Sequence, residues 1–130
     1  MSAAPVRPRW NGQGAALAVL GASAVGLGAF GAHALRNALP PESLEIWRTA
    51  VQYHFWHTLA FALAAMMWPP RSVTRAAMWL FAIGVLLFCG SLYALALGAP
   101  RWVGAVTPFG GVAFIAGWVA LGASLFGARK

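Results

Sequence analysis

Charge is what this sequence has least of. Only 8% of its 130 residues are charged, and Glu42 and Glu45 are its two acids. A water-facing domain carries about 25% charged residues, so a soluble surface cannot be covered from this composition. Cysteine is nearly absent as well. Cys89 alone excludes an internal disulfide. It stands in an apolar run with no basic residue near it, which reads as a small buried hydrophobe rather than a reactive thiol. No Gly-x-Ser-x-Gly elbow occurs, and neither Ser91 nor Thr107 has a base–carboxylate pair close in sequence, which argues against nucleophilic catalysis. Gly26-x-Gly28-x-x-Gly31 has the spacing of a phosphate loop, but it falls inside an apolar run with no strand before it.

What the chain has instead is apolar length. Hydrophobic residues make up 61% of it, and mean hydropathy is +0.72. These values, with the length, predict one all-α integral membrane domain, an up-down bundle of four spans. The spans are expected over about 13–35, 50–68, 76–98 and 103–127, each long enough to cross a core of about 30 Å. Arg7 and Arg9 followed by an apolar run and Ala32-His33-Ala34 imitate a secretory leader. The run exceeds the usual 7–15 residues, so an uncleaved first helix is expected. Pro40-Pro41-Glu42-Ser43-Leu44-Glu45 opens the second helix, with proline in the first turn and acids at the positive end of the dipole. No formal charge lies inside a span, as the insertion cost of about 2.5–3.5 kcal/mol per central Arg or Lys requires.

The net charge of +7 does not indicate a nucleic-acid partner. Basic residues sit between the apolar runs rather than along one face, where anionic lipid accounts for them. Arg7, Arg9, Arg71, Arg75, Arg129 and Lys130 fall on one side of a four-span chain; Arg36, Arg48 and Arg101 fall on the other. The bias predicts both termini in the cytoplasm. Trp10, Trp47, Trp68, Trp79 and Trp102 lie near expected span ends, as interfacial belts require.

Lipid gives helices no hydrophobic reason to associate, so small residues at close approach must contribute. Columns of them recur at alternating spacings of four and three, or at seven. The first helix has Gly14, Ala18, Gly21, Val25, Gly28 and Ala32; the third has Ala77, Gly84, Ser91 and Gly98. The fourth has Gly110, Ala113, Gly117, Ala120, Ser124 and Gly127. This period implies left-handed packing at about +20°. On the first helix, Leu17, Leu20, Leu27 and Phe30 are then expected to face lipid. In the second helix His57 stands midway between Ala50 and Ala64, so an imidazole fills a position that elsewhere holds Gly, Ala or Ser.

With both termini inside, His33 ends the first helix near the outer surface. His54 and His57 share a face early in the second span. Ser91 and Tyr93 end the third, and Thr107, Pro108, Gly110 and Gly111 begin the fourth. These groups are expected at one depth below the outer surface, with Thr58 nearby. Polar groups in a span face the bundle or a cavity and mark a candidate site. Pro108 frees a carbonyl, and Gly110-Gly111 admits close approach, so these residues form either a pocket wall or a plain helix start. The histidines are open to several readings: cross-helix hydrogen bonds, haem between His33 and His57, a metal site, or a proton relay.

Four blocks suggest a family, one per helix: Gly28-Ala29-Phe30-Gly31-Ala32-His33-Ala34-Leu35, Phe55-Trp56-His57-Thr58-Leu59-Ala60, Leu87-Phe88-Cys89-Gly90-Ser91-Leu92-Tyr93, and Thr107-Pro108-Phe109-Gly110-Gly111 with Gly117-Trp118. In order and content they resemble the small bacterial membrane proteins of domain-of-unknown-function family 423. The resemblance implies a four-span protein of the bacterial inner membrane, similar to a small eukaryotic protein of the mitochondrion, with no established activity. It also implies that His33 and His57 recur more regularly than His54.

The expectation that follows is a non-enzymatic bundle. It would bind membrane lipid or a quinone-like molecule, or join a homo-oligomer or larger membrane complex, beside a cluster of His33, His54, His57, Ser91, Tyr93, Thr107, Gly110 and Gly111. A haem- or metal-dependent redox protein and an oligomeric proton-coupled transporter are the alternatives.

Overall fold

A computed structural model of the chain describes residues 2–4, 12–67 and 70–126. Arg7, Arg9, Trp10, Trp68, Gly127, Arg129 and Lys130 therefore lie outside the described residues. Among those described, the chain forms four helices and no strand. They are α1 (Gly12–His33), α2 (Pro41–Met66), α3 (Ser72–Ala96) and α4 (Arg101–Leu125). A π-helical segment, Val85–Cys89, interrupts α3, and a 3₁₀ turn, Arg101–Ala105, opens α4. Residues α1 to α4 follow one another antiparallel: α1 packs on α2, α2 on α3, and α3 most extensively on α4.

The helix ends follow from local chemistry. Pro41 sits in the first turn of α2 with Glu42 beside it, where a missing N–H costs nothing and an acid meets the positive end of the dipole. Gly98 closes α3 at φ +96°, a left-handed value that lets the Ala99 N–H reach the Ala94 carbonyl at 3.0 Å. At the opposite end of the bundle, Arg71 donates to the Ser124 and Phe126 carbonyls at 3.0 and 3.1 Å. A cation thus satisfies the last carbonyls of α4.

Among the described residues, three helices are long and apolar enough to cross a membrane: α1, α3 and α4. Large hydrophobic side chains are exposed along the bundle, Leu86, Ile115 and Val119 among them, a surface that suits lipid and not water. α2 is the exception, being less apolar than the 50–68 reading supposed. Its composition differs because it is the inner helix, burying His54, His57 and Thr58 along with Ala50, Ala60, Phe61 and Ala64.

The small-residue columns predict the buried face on three of the four helices. Ala77, Gly84 and Ser91 are buried on α3; Gly110, Ala113, Gly117 and Ser124 are buried on α4; Ala50, His57 and Ala64 are buried on α2. Across α3–α4, aromatic rings fill the space that glycine leaves. Phe114 rests on Gly84, and Phe81 on Gly117 at 2.7 Å from where a Cβ would stand.

α1 departs from expectation. Leu17 and Leu20 pack against the main core and Leu27 against a smaller one, while Ala18, Val25 and Ala32 are exposed. Two columns with the same period existed on this helix, and the leucine column won because large side chains fill the grooves of α2 with more contact than alanine does. Gly21 and Gly28 still face α2: a Cβ on each would stand 3.9 Å from Thr58 and 3.3 Å from Val51. Phe30 is exposed, as expected of a lipid-facing residue.

Candidate functional site

His54 is buried between three helices. Its partners fix its tautomer. The Ser23 hydroxyl donates to the Leu20 carbonyl at 3.1 Å, so its oxygen accepts from His54 Nε2–H at 3.2 Å. Nδ1 is then the acceptor, receiving the Tyr93 hydroxyl at 3.0 Å. One neutral ring therefore ties α1 to α3 through α2.

His57, one turn further along, takes the other tautomer. Its Nδ1–H donates to the Tyr53 carbonyl at 2.7 Å, and its Nε2 accepts from Trp118 Nε1–H at 3.1 Å. The ring stacks on Phe114 with centroids 3.5 Å apart and planes 11° from parallel. Tyr53 and Phe81 pack around it. All four imidazole nitrogens are thus engaged by the protein.

Ser91 and Thr107 form a separate pair joining α3 to α4. Ser91 donates to the Phe88 carbonyl at 2.9 Å and accepts from the Thr107 hydroxyl at 2.6 Å. The Phe88 carbonyl lies in the π-helical segment, and the Phe88 backbone is also what Gly110 packs against. Close approach at Gly110 is therefore real, and what fills it is the backbone of Phe88. At Gly111 a Cβ would stand 3.9 Å from the Phe88 ring, an ordinary contact.

The expected single cluster is thus three sets: Ser23–His54–Tyr93, Tyr53–His57–Trp118, and Ser91–Thr107. His33 joins none of them. It is exposed at the end of α1. Gly21 faces Thr58 and Gly31 faces Trp47, which places His33 about 16 Å along the axis from the level of His57. His57 itself is not near the helix start: it lies 16 residues beyond Pro41, about 24 Å into a helix of about 39 Å. The first turns of α2 pack within the bundle, burying Leu44, Trp47 and Ala50.

Trp47 shows why. It is 2% exposed, not part of an interfacial belt. Its Nε1–H donates to the Leu27 carbonyl at 2.9 Å, and its ring lies over Gly31, where any side chain would collide with it. Trp47, Trp118 and Ser23 are the polar-site residues missed by sequence reading. Trp118 was visible as part of a motif, but its partner was not. Gly31 was the only available signal for Trp47, and Ser23 had none.

A cleft opens elsewhere, between α1 and α2, with a volume of about 460 Å³. Gly28, Gly31, Trp47 and Val51 line it together with Arg36 and Arg48. Among the described residues, no group of three or more His, Cys, Asp or Glu comes together.

Residues 27–111 match a family model described as a protein of unknown function, DUF423. The chain belongs to the DUF423 family. The matched stretch runs from the helix that supplies Gly28 and Gly31 to Gly110-Gly111 in the first half of α4, and so contains both histidines of the core. Its relatives include the UPF0382 membrane protein YwdK of Bacillus subtilis, 47% identical over 74% of this chain and 80% of that one. A UPF0382 membrane protein of Haemophilus influenzae is 38% identical over 88% of this chain and 93% of its own length. That of Staphylococcus haemolyticus is 44% identical over 78% and 84%. No solved structure matches. As a DUF423 member with three apolar helices of spanning length, the chain is a membrane protein of unknown activity.

Proposed function

We propose that this protein is a non-enzymatic bundle of the bacterial cytoplasmic membrane, binding a lipid-like or quinone-like molecule within or beside its helices. The observation that carries this reading is the saturation of His54 and His57: each ring nitrogen already has a protein partner. Neither ring offers the free lone pair that a base or a metal ligand needs. The cleft between α1 and α2 offers a ligand both apolar wall and cationic groups.

α2 completes four spans in this reading. It is 26 residues long and packs alongside α1 and α3, so a membrane crossed by its neighbours is crossed by it. The distribution of arginine and lysine supports both termini on the cytoplasmic side. Exposed Ala18 and Val25 on α1 suit contact with a second copy or a larger membrane complex.

Haem between His33 and His57 has less support. Two axial ligands must meet one iron, and these residues stand about 16 Å apart in level, with His57 Nε2 held by Trp118. A proton relay through His57 would have to displace the same bond.

Native mass spectrometry of protein released gently from its own membrane tests the proposal. Bound lipid or quinone is the expected result. Protein free of lipid, quinone and partner, whose His57→Ala form differs only in stability, would remove it.

A further inference from the structure

The cleft between α1 and α2 has a specific composition. Arg36 stands three residues beyond the end of α1, and Arg48 lies two turns into α2; both line the same space. Neither has a hydrogen-bond or ion-pair partner among the described residues. Arg71, by contrast, is engaged in capping α4. Neither Glu42 nor Glu45 lines the cleft, and these are the chain's two acids. Two guanidinium groups are thus left facing one cavity without an internal counter-charge.

Beneath them the wall becomes apolar. A Cβ on Gly28 would stand 3.3 Å from Val51, and the Trp47 ring lies over Gly31. Gln52, one turn beyond Arg48, adds an amide between the cationic and apolar parts. Charge lies toward one end of the bundle, and the apolar wall runs toward its middle. A free phosphate would use only the first. A diacyl phosphate would use both.

We propose that this cleft binds the phosphate head of an anionic phospholipid, with Arg36 and Arg48 on the phosphate and one acyl chain along Gly28 and Val51. The planar guanidinium fork matches phosphate oxygens two at a time, and a volume of about 460 Å³ is of the size that ligand clefts have. The inference rests on the reading that the protein binds a lipid-like molecule, and assigns that molecule a class and a place.

The test is lipid retention by the full chain, purified in mild detergent, given phosphatidylglycerol or phosphatidylcholine, and read by native mass spectrometry. Wild type is expected to retain phosphatidylglycerol preferentially. Arg36→Gln with Arg48→Gln should reduce that retention by about tenfold or more, the size expected for loss of charge-assisted hydrogen bonds. Ala32→Phe, at an exposed residue lining the cleft, should reduce it with both arginines kept. An unchanged preference in both variants would overturn this site while leaving lipid binding elsewhere intact. Retention of no lipid by wild type would overturn both readings, and a co-purified protein occupying the cleft would overturn this one.

Discussion

Histidine in a membrane invites a functional reading because an unpaired imidazole in hydrocarbon is costly. In this protein the partners remove that cost. His57 is held as one neutral tautomer by a carbonyl that only accepts and an indole N–H that only donates, while the Ser23 bond to the Leu20 carbonyl favours the opposite tautomer in His54. Tyr93→Phe should cost about 1 kcal/mol, the loss of one interhelical hydrogen bond. His57→Ala should cost more, about 2–4 kcal/mol, because it also empties the space against Phe114. Thermal unfolding in detergent measures both, and equal shifts for the two variants would contradict the packing role given to His57. Gly31 carries a sharper demand. Gly31→Val collides with the Trp47 ring and should cost about 1–3 kcal/mol, with a shift in tryptophan fluorescence as the indole leaves its site.

At the scale of elements, the α3–α4 pair is held by complementary shapes rather than by polarity. Glycines of one helix take the rings or backbone of the other, at Gly84, Gly110 and Gly117. Gly110 meets the Phe88 backbone, which cannot rotate out of the way, so Gly110→Ala should lower the melting temperature clearly. Gly111→Ala, with its neighbour 3.9 Å away, should change it little, within about 0.5 kcal/mol. Thermal melts of the two variants side by side test whether close approach at the π-helical segment is what positions α4. Elsewhere Arg71 links a loop to a helix end. Arg71→Gln removes a cation from the carbonyls of Ser124 and Phe126 and should cost about 0.3–1 kcal/mol, seen as faster amide exchange in the last turn of α4.

The whole molecule is an antiparallel bundle whose least apolar helix is its most buried. In the proposed topology α2 is a fourth span beside the three described helices that qualify by hydropathy. It predicts that reporter fusions after α1 and after α3 are exported, while fusions after α2 and at the C-terminus stay cytoplasmic. Export of the C-terminal fusion would break the proposed topology. The polar contacts are distributed between helices rather than gathered at one face, so they tie the interior of the bundle together.

Composition and hydrophobic run length determined that this is a helical membrane protein, because they set what water or lipid each segment can face. Periodicity determined most of the interfaces, since Ala50, His57 and Ala64, or Gly110, Ala113 and Gly117, lie on one side of any helix. The tertiary structure alone decided which of two equal columns on α1 faces α2, a matter of which side chains fill the opposing grooves. It also decided where the histidines go. Depth within a bundle depends on how antiparallel helices align, and tautomer depends on partners tens of residues away, Ser23, Tyr93 and Trp118. Neither is encoded in local spacing.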